Sequence, residues 1–207
     1  MSTNKRRSTR GAAFRTAFAV TVASTAVLGL AATMSCADKP DVNRTTGVIL
    51  PDFNTYVTHV DRYLARRCGS LDCHGQPGRA YRIYSREGFR LYTIADGSLV
   101  SGQQPTDPAE QRANFQALIG LEPEEMSRLM ARQGDDIKRL LFIRKSLRIE
   151  RHKGGPAMAE DDEGYRCVEA WLRIRVVDGE GNEIPADRRD KLTDRQAQNC
   201  AIAESFP

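Results

Sequence analysis

The sequence predicts a mainly α-helical domain with one short β-hairpin and an irregular C-terminal tail. Three observations predict it. Apolar residues recur at helical spacing in separate stretches, at 53–64, 115–119, 126–130, 137–147 and 165–172. Most of these stretches open on an acidic or proline capping signal, and two close on glycine. Alternation with period two is confined to 81–84 and 89–92. With 207 residues, 40% of them hydrophobic, the chain has material for one domain and an appendage. No internal repeat recurs at a fixed period.

The N-terminus reads as an export signal over residues 1–35. Arg6, Arg7, Arg10 and Arg15 form a basic start, and Ala17 to Thr33 is an uncharged run. Cys36 follows in Thr33-Met34-Ser35-Cys36, a degenerate lipobox, and is the expected lipid site. A lipid there would attach the chain to a membrane. Ordinary cleavage between Ala31 and Ala37 is the other reading. Either one places the mature chain outside the cytoplasm, in the periplasm or cell envelope, where disulfides and covalent haem attachment are both permitted. The formal charge of +4 belongs to this leader. Without residues 1–35 the chain has 26 basic against 27 acidic residues. That near-neutral body gives no ground for a nucleic-acid partner.

Residues 36–51 read as a polar linker, and the domain is expected over 52–207. Asp52 caps a first helix carrying Phe53, Tyr56, Val57, Val60 and Leu64, which delivers the chain to Cys68. Tyr81-Arg-Ile-Tyr84 and Phe89-Arg-Leu-Tyr92 alternate around the turn Ser85–Gly88, giving the hairpin; residues 94–106 read as loop. Asp107-Pro108-Ala109-Glu110 opens a second helix with Phe115, Leu118 and Ile119 inward and Gly120 as its stop. Pro123 opens a third, with Met126, Leu129 and Met130 inward and Gly134 beyond its end. A fourth starts at Asp135, with Ile137, Leu140, Leu141 and Leu147 inward. Asp161 or Asp162 caps the last, which carries Tyr165, Val168, Trp171 and Leu172. Past Arg175 the chain turns polar.

The chemistry concentrates in Cys68-Gly-Ser-Leu-Asp-Cys73-His74-Gly75. Two cysteines with histidine directly after the second is the arrangement that holds haem covalently: the thiols add across two vinyl groups, and the adjacent imidazole is the proximal iron ligand. Four residues separate the cysteines here, where the common form has two. Other readings of the same residues are a Cys68–Cys73 disulfide and a zinc site built from Cys68, Cys73, His74 and His152.

This stretch resembles c-type cytochromes, and in particular the cytochrome c-like domains of secreted bacterial proteins. The match rests on the helix ending at Arg67-Cys68, on Cys73-His74-Gly75, and on the later His152-Lys-Gly-Gly loop before the Trp171 helix, and spans about residues 52–175. The resemblance implies a helical domain around one haem c, with the first helix packed on the last. It implies thioethers at Cys68 and Cys73 and iron held by His74. His152 is the candidate distal ligand and Met158 the runner-up. Met126 and Met130 read as core, and His59 as a packing or surface residue. Tyr81, Tyr84, Phe89 and Tyr92 could line a haem edge or simply fill the core. With Cys36 and the haem pair set aside, Cys167 and Cys200 remain as an expected disulfide.

No phosphate-binding glycine loop, nucleophile elbow or paired carboxylates are found, and Asp161, Asp162 and Glu163 read as a helix N-terminus. One haem without a second cofactor implies electron transfer with a redox partner protein. The competing readings are a haem-free, disulfide-stabilised envelope lipoprotein or binding module, and a haem enzyme of peroxidase type.

Overall fold

In a computed structural model of the protein, residues 47–91 and 104–205 are described. The residues of the expected export signal, Cys36 and Tyr92 lie outside them. The described residues belong to one unit that begins at Gly47. Residues 47–51, expected as linker, are already attached to it: Ile49 N–H donates to Ser127 Oγ at 3.0 Å, and Ile49 packs on the core.

The first helix, α1, comprises Phe53–Thr55, a π-helical turn Tyr56–Val60, and Asp61–Cys68. Asp52 caps it, accepting from Thr55 N–H at 2.7 Å. In the π turn Asp61 N–H reaches Tyr56 O. The wider turn rotates the helix that follows, and Asp61, Tyr63, Leu64, Ala65 and Cys68 are all buried.

Helix α2 (Pro108–Ile119) starts with the expected capping box, Asp107 and Glu110 each bonding the other's backbone, and Gly120 caps its end. Helix α3 (Pro123–Ala131) turns Met126, Leu129 and Met130 into the core. The expected fourth helix is broken in two, a 3₁₀ turn at Ile137–Arg139 and then α4 (Leu141–Ser146). Leu140 between them is extended, at φ −70° and ψ 131°. Ile137, Leu140, Phe142 and Ile143 are buried across that break, and Leu141 and Leu147 only partly. Helix α5 (Glu163–Leu172) is capped by Asp162, whose carboxylate accepts from Tyr165 N–H.

Helix α1 packs on α5, as expected. Trp171 is fully buried, and its indole N–H donates to Asp52 O at 2.8 Å. Tyr56 lies 5.4 Å from the Trp171 ring and 5.1 Å from Phe115, both between centroids. At Gly164 the helices come so near that a Cβ would collide with the Tyr63 ring.

Two expectations are corrected. The tail is not irregular: α6 (Asp194–Ser205) forms there and packs on α1 and α5. Cys167 and Cys200 join it to α5 as a disulfide, with Cα atoms 4.8 Å apart. Its start is a capping box, with Thr193 N–H donating to Gln196 Oε1 at 2.9 Å and Gln196 N–H to Thr193 Oγ1. The hairpin forms its turn but no strands among the described residues. Gly88 N–H donates to Ser85 O and Ser85 N–H to Phe89 O. Beyond that turn, the backbone of this segment is satisfied from elsewhere. Asn114 on α2 takes both Tyr84 N–H and Tyr84 O, Glu110 takes Leu91 N–H, and Ile83 and Phe89 donate to the carbonyls of His74 and Gly75. A ladder would have to compete with these bonds. Arg90 fixes the same segment through a buried two-point pair with Glu110, 2.7 Å at each contact.

Candidate functional site

The cysteine loop folds tightly on itself. Cys73 N–H and Gly75 N–H donate to Ser70 O at 3.0 and 2.9 Å, and His74 N–H donates to Cys68 O at 2.9 Å. Gly75 has no room for a Cβ, which would strike Gly69 O. That close backbone approach turns the chain straight from the end of α1 into Cys73 and His74. Gly75 is therefore required by space, since its φ is not positive.

Cys68, the last residue of α1, is buried, and Cys73 is half-exposed. The two thiols are free, so the alternative Cys68–Cys73 disulfide is not formed. Burial pushes the Cys68 thiol up to about 12, and Cys73 beside it adds to the effect. Cys68 is therefore held as a neutral thiol near neutral pH. Among the described residues no group of three His, Cys, Asp or Glu side chains converges to hold an ion, so the zinc arrangement is not assembled.

His74 and His152, far apart in sequence, come together. Their ring centroids are 6.0 Å apart, with planes 11° from parallel. Each ring is held in the same way. His74 Nδ1 lies 2.7 Å from Tyr81 O, and His152 Nδ1 lies 2.7 Å from Gly155 O. A carbonyl only accepts, so Nδ1 carries the proton in both rings. In the neutral imidazole Nε2 then holds the lone pair, the tautomer that ligates a metal with its ring orientation fixed. Burial, opposed in part by the Tyr81 carbonyl, lowers the His74 pKa, and His152 and Arg79 lower it further. That shift favours the neutral imidazole over the charged form.

The His152 ring is aimed by its own loop. Gly155 N–H donates back to His152 O at 3.2 Å, and Gly155 sits at φ +79°, a backbone that favours glycine. Met158, the runner-up, is buried in the core, with its N–H on Ser146 O. Arg67 Nε donates to Ala157 O at 3.0 Å and so ties this loop to the end of α1. His59 is partly buried on α1, its pKa lowered by burial.

Sequence reasoning missed the two carbonyls that hold the imidazoles. The paired glycines after His152 signal one of them. Nothing in the sequence signals Tyr81 O. Two buried side-chain atoms among the described residues lack a hydrogen-bond partner, Tyr81 Oη and Arg82 Nε. Both belong to the segment whose Tyr81 carbonyl meets His74.

Among the described residues no helix is long and apolar enough to cross a membrane. No protein-family model, curated protein or solved structure matches this chain.

Proposed function

We propose that this protein is an exported monohaem c-type cytochrome-like electron carrier. One haem c is attached through Cys68 and Cys73, with His74 as proximal and His152 as distal iron ligand. The observation that carries the reading is the imidazole pair. His74 and His152 stand at 6.0 Å and near parallel, each with Nδ1 on a carbonyl. Two imidazoles near one another, beside two free thiols, are the donor set that would hold a haem.

When bound, the haem supplies a one-electron iron couple. The chain's own residues do the rest. Tyr81 O and Gly155 O hold the rings and leave them little freedom to reorganise as charge changes. Cys68, buried at the end of α1, and half-exposed Cys73 would supply the two attachment points. No organic substrate is required, and the electron passes to and from a redox partner protein. Export to the periplasm or envelope, with Cys36 as the lipid site, is supported by the Cys167–Cys200 disulfide, which an oxidising compartment maintains.

The test is an intact mass of the denatured protein from its own source. One haem of added mass, lost in the C68A/C73A variant, is the expected result. His152→Ala should then abolish the low-spin spectrum, whereas Met158→Ala should leave it. An unmodified mass would overturn the reading in favour of a haem-free envelope module. A spectrum unmoved by His152→Ala would remove His152 as ligand.

A further inference from the structure

The orientation of His74 can be followed back to a carboxylate that the proposed function does not use. Asp61 lies fully buried in α1, just after the π-helical turn. Its Oδ1 accepts from Tyr56 Oη at 3.2 Å and from Asn114 Nδ2 at 3.0 Å, and its Oδ2 accepts from Thr106 Oγ1 at 2.6 Å. None of these partners is a cation. An apolar contact would join α1 to α2 at lower cost. What an ionised carboxylate adds is direction, because it only accepts.

That direction passes through Asn114, fully buried on α2. Its Nδ2 donates to Asp61 Oδ1 and, at 2.9 Å, to Tyr84 O, and its Oδ1 accepts Tyr84 N–H at 2.7 Å. Turned over, the amide would set its oxygen against two acceptors and its N–H groups against a donor. One orientation satisfies all three bonds, and it clasps both backbone groups of Tyr84.

Three residues earlier, Tyr81 O lies 2.7 Å from His74 Nδ1, and Ile83 N–H donates to His74 O at 2.9 Å. Residues 81–84 belong to no strand, so no ladder sets their position. Ser85 Oγ on Gly69 O and Phe89 N–H on Gly75 O tie the segment to the cysteine loop, which is the element that carries His74 itself. A reference from outside that loop comes from α2, through Asn114 at Tyr84 and, further along, through Glu110 at Leu91.

We infer that Asp61 and Asn114 are positioning residues for His74: the carboxylate sets the Asn114 amide, the amide sets the 81–84 backbone, and Tyr81 O sets the imidazole with its proton on Nδ1 and its lone pair on Nε2. A carbonyl on the far nitrogen fixes the orientation of a ligating ring only if the carbonyl is itself held. The inference deepens the ligand role proposed for His74 and rests on that reading for its purpose, although the bonds themselves need no haem.

The test uses the full chain as isolated, with any haem iron reduced, and follows exchange of the His74 Nδ1–H with solvent by ring-nitrogen NMR. Asn114→Ala and Asp61→Leu should each speed that exchange about fivefold, the weight of one hydrogen bond. Asp61→Asn should keep the parent rate, because its oxygen still accepts from Asn114 and its amide can donate to Thr106 Oγ1. Gly164→Ala, a destabilising change outside this network, should also keep it. A rate unmoved by Asn114→Ala and Asp61→Leu, or raised as much by Gly164→Ala, would overturn the inference. Where those variants fail to fold, the Tyr84 amide of the parent decides: protection matching the interior of α2 is expected, and exchange at the rate of an open loop overturns it. A mass without haem together with a moved Nδ1–H keeps the positioning role and removes the electron carrier. A haem-bearing protein with an unmoved Nδ1–H does the reverse.

Discussion

The Cys167–Cys200 disulfide sets the stability of the C-terminal third. The perturbation is the double replacement C167A/C200A. The bridge joins residues separated by 33 positions. On the chain-entropy relation, opening a loop of that length returns about 12.5 cal/mol/K to the unfolded chain, or about 3.7 kcal/mol at 25 °C. Both cysteines are fully buried, so truncation also leaves a small void that adds roughly 1 kcal/mol. In a domain of this size each kcal/mol moves the thermal midpoint by roughly 2–4 °C. The variant should therefore melt roughly 9–19 °C below the parent protein, followed by circular dichroism without reductant. Hydrogen exchange supplies the second readout: amides of α6 should lose protection before those of α1 and α5, because α6 has a small apolar face and depends on the bridge. A midpoint within 2 °C of the parent, or α6 protection unchanged, would refute the reasoning.

Other outcomes follow from the same structure. Gly164→Ala should destabilise by about 1–3 kcal/mol in denaturant unfolding, because its methyl meets the buried Tyr63 ring; combining it with Tyr63→Leu should recover part of the loss. Asp61 is buried under Tyr56, Thr106 and Asn114, and burial raises its pKa despite those hydrogen bonds. The native state therefore binds a proton that the unfolded state has released, and this group's contribution falls as pH rises from about 4 through the raised value. Unfolding at stepped pH should show Asp61→Asn losing that component, so that the variant gains on the parent as pH rises across this window. His74 has the opposite sign. Its native pKa is lowered, so its contribution is complete above about 6.5 and is lost as pH falls through the lowered value; His74→Asn should flatten the acid side of the haem-free stability profile. Glu110→Ala removes the carboxylate from the buried Arg90 guanidinium, leaving it the Gln104 and Pro105 carbonyls, and should cost about 3 kcal/mol by urea unfolding.

The sequence by itself determined where α1, α2, α3 and α5 begin and which side chains they bury. Asp52, Asp107 and Asp162 cap helices because a capping carboxylate bonds amides two or three residues ahead, a decision local to one turn. Helical spacing placed Tyr56, Leu118, Met130 and Trp171 inside for an equally local reason. The same locality could have revealed α6, since Thr193 and Gln196 form a capping box; its face of Ala197, Cys200 and Ala203 was too small to register as an apolar stripe. The cysteine and histidine candidates were also legible, because their chemistry is carried by residue type and adjacency.

Only the tertiary structure decided the rest. Asp61 and Glu110 are charged residues on helices, yet both are fully buried because distant Thr106, Asn114 and Arg90 satisfy them. The segment 81–91 alternates like a strand, but Asn114 and Glu110 take backbone bonds a ladder would have used. The break at Leu140 has no proline or glycine to announce it. Above all, nothing near His74 in the chain says that His152 will stand 6.0 Å away with its ring aligned. That distance depends on how α1, α4 and α5 pack, and on Arg67 holding the loop that follows His152. A cap is settled within one turn of chain, whereas a site is settled by contacts between segments whose separation no local pattern encodes.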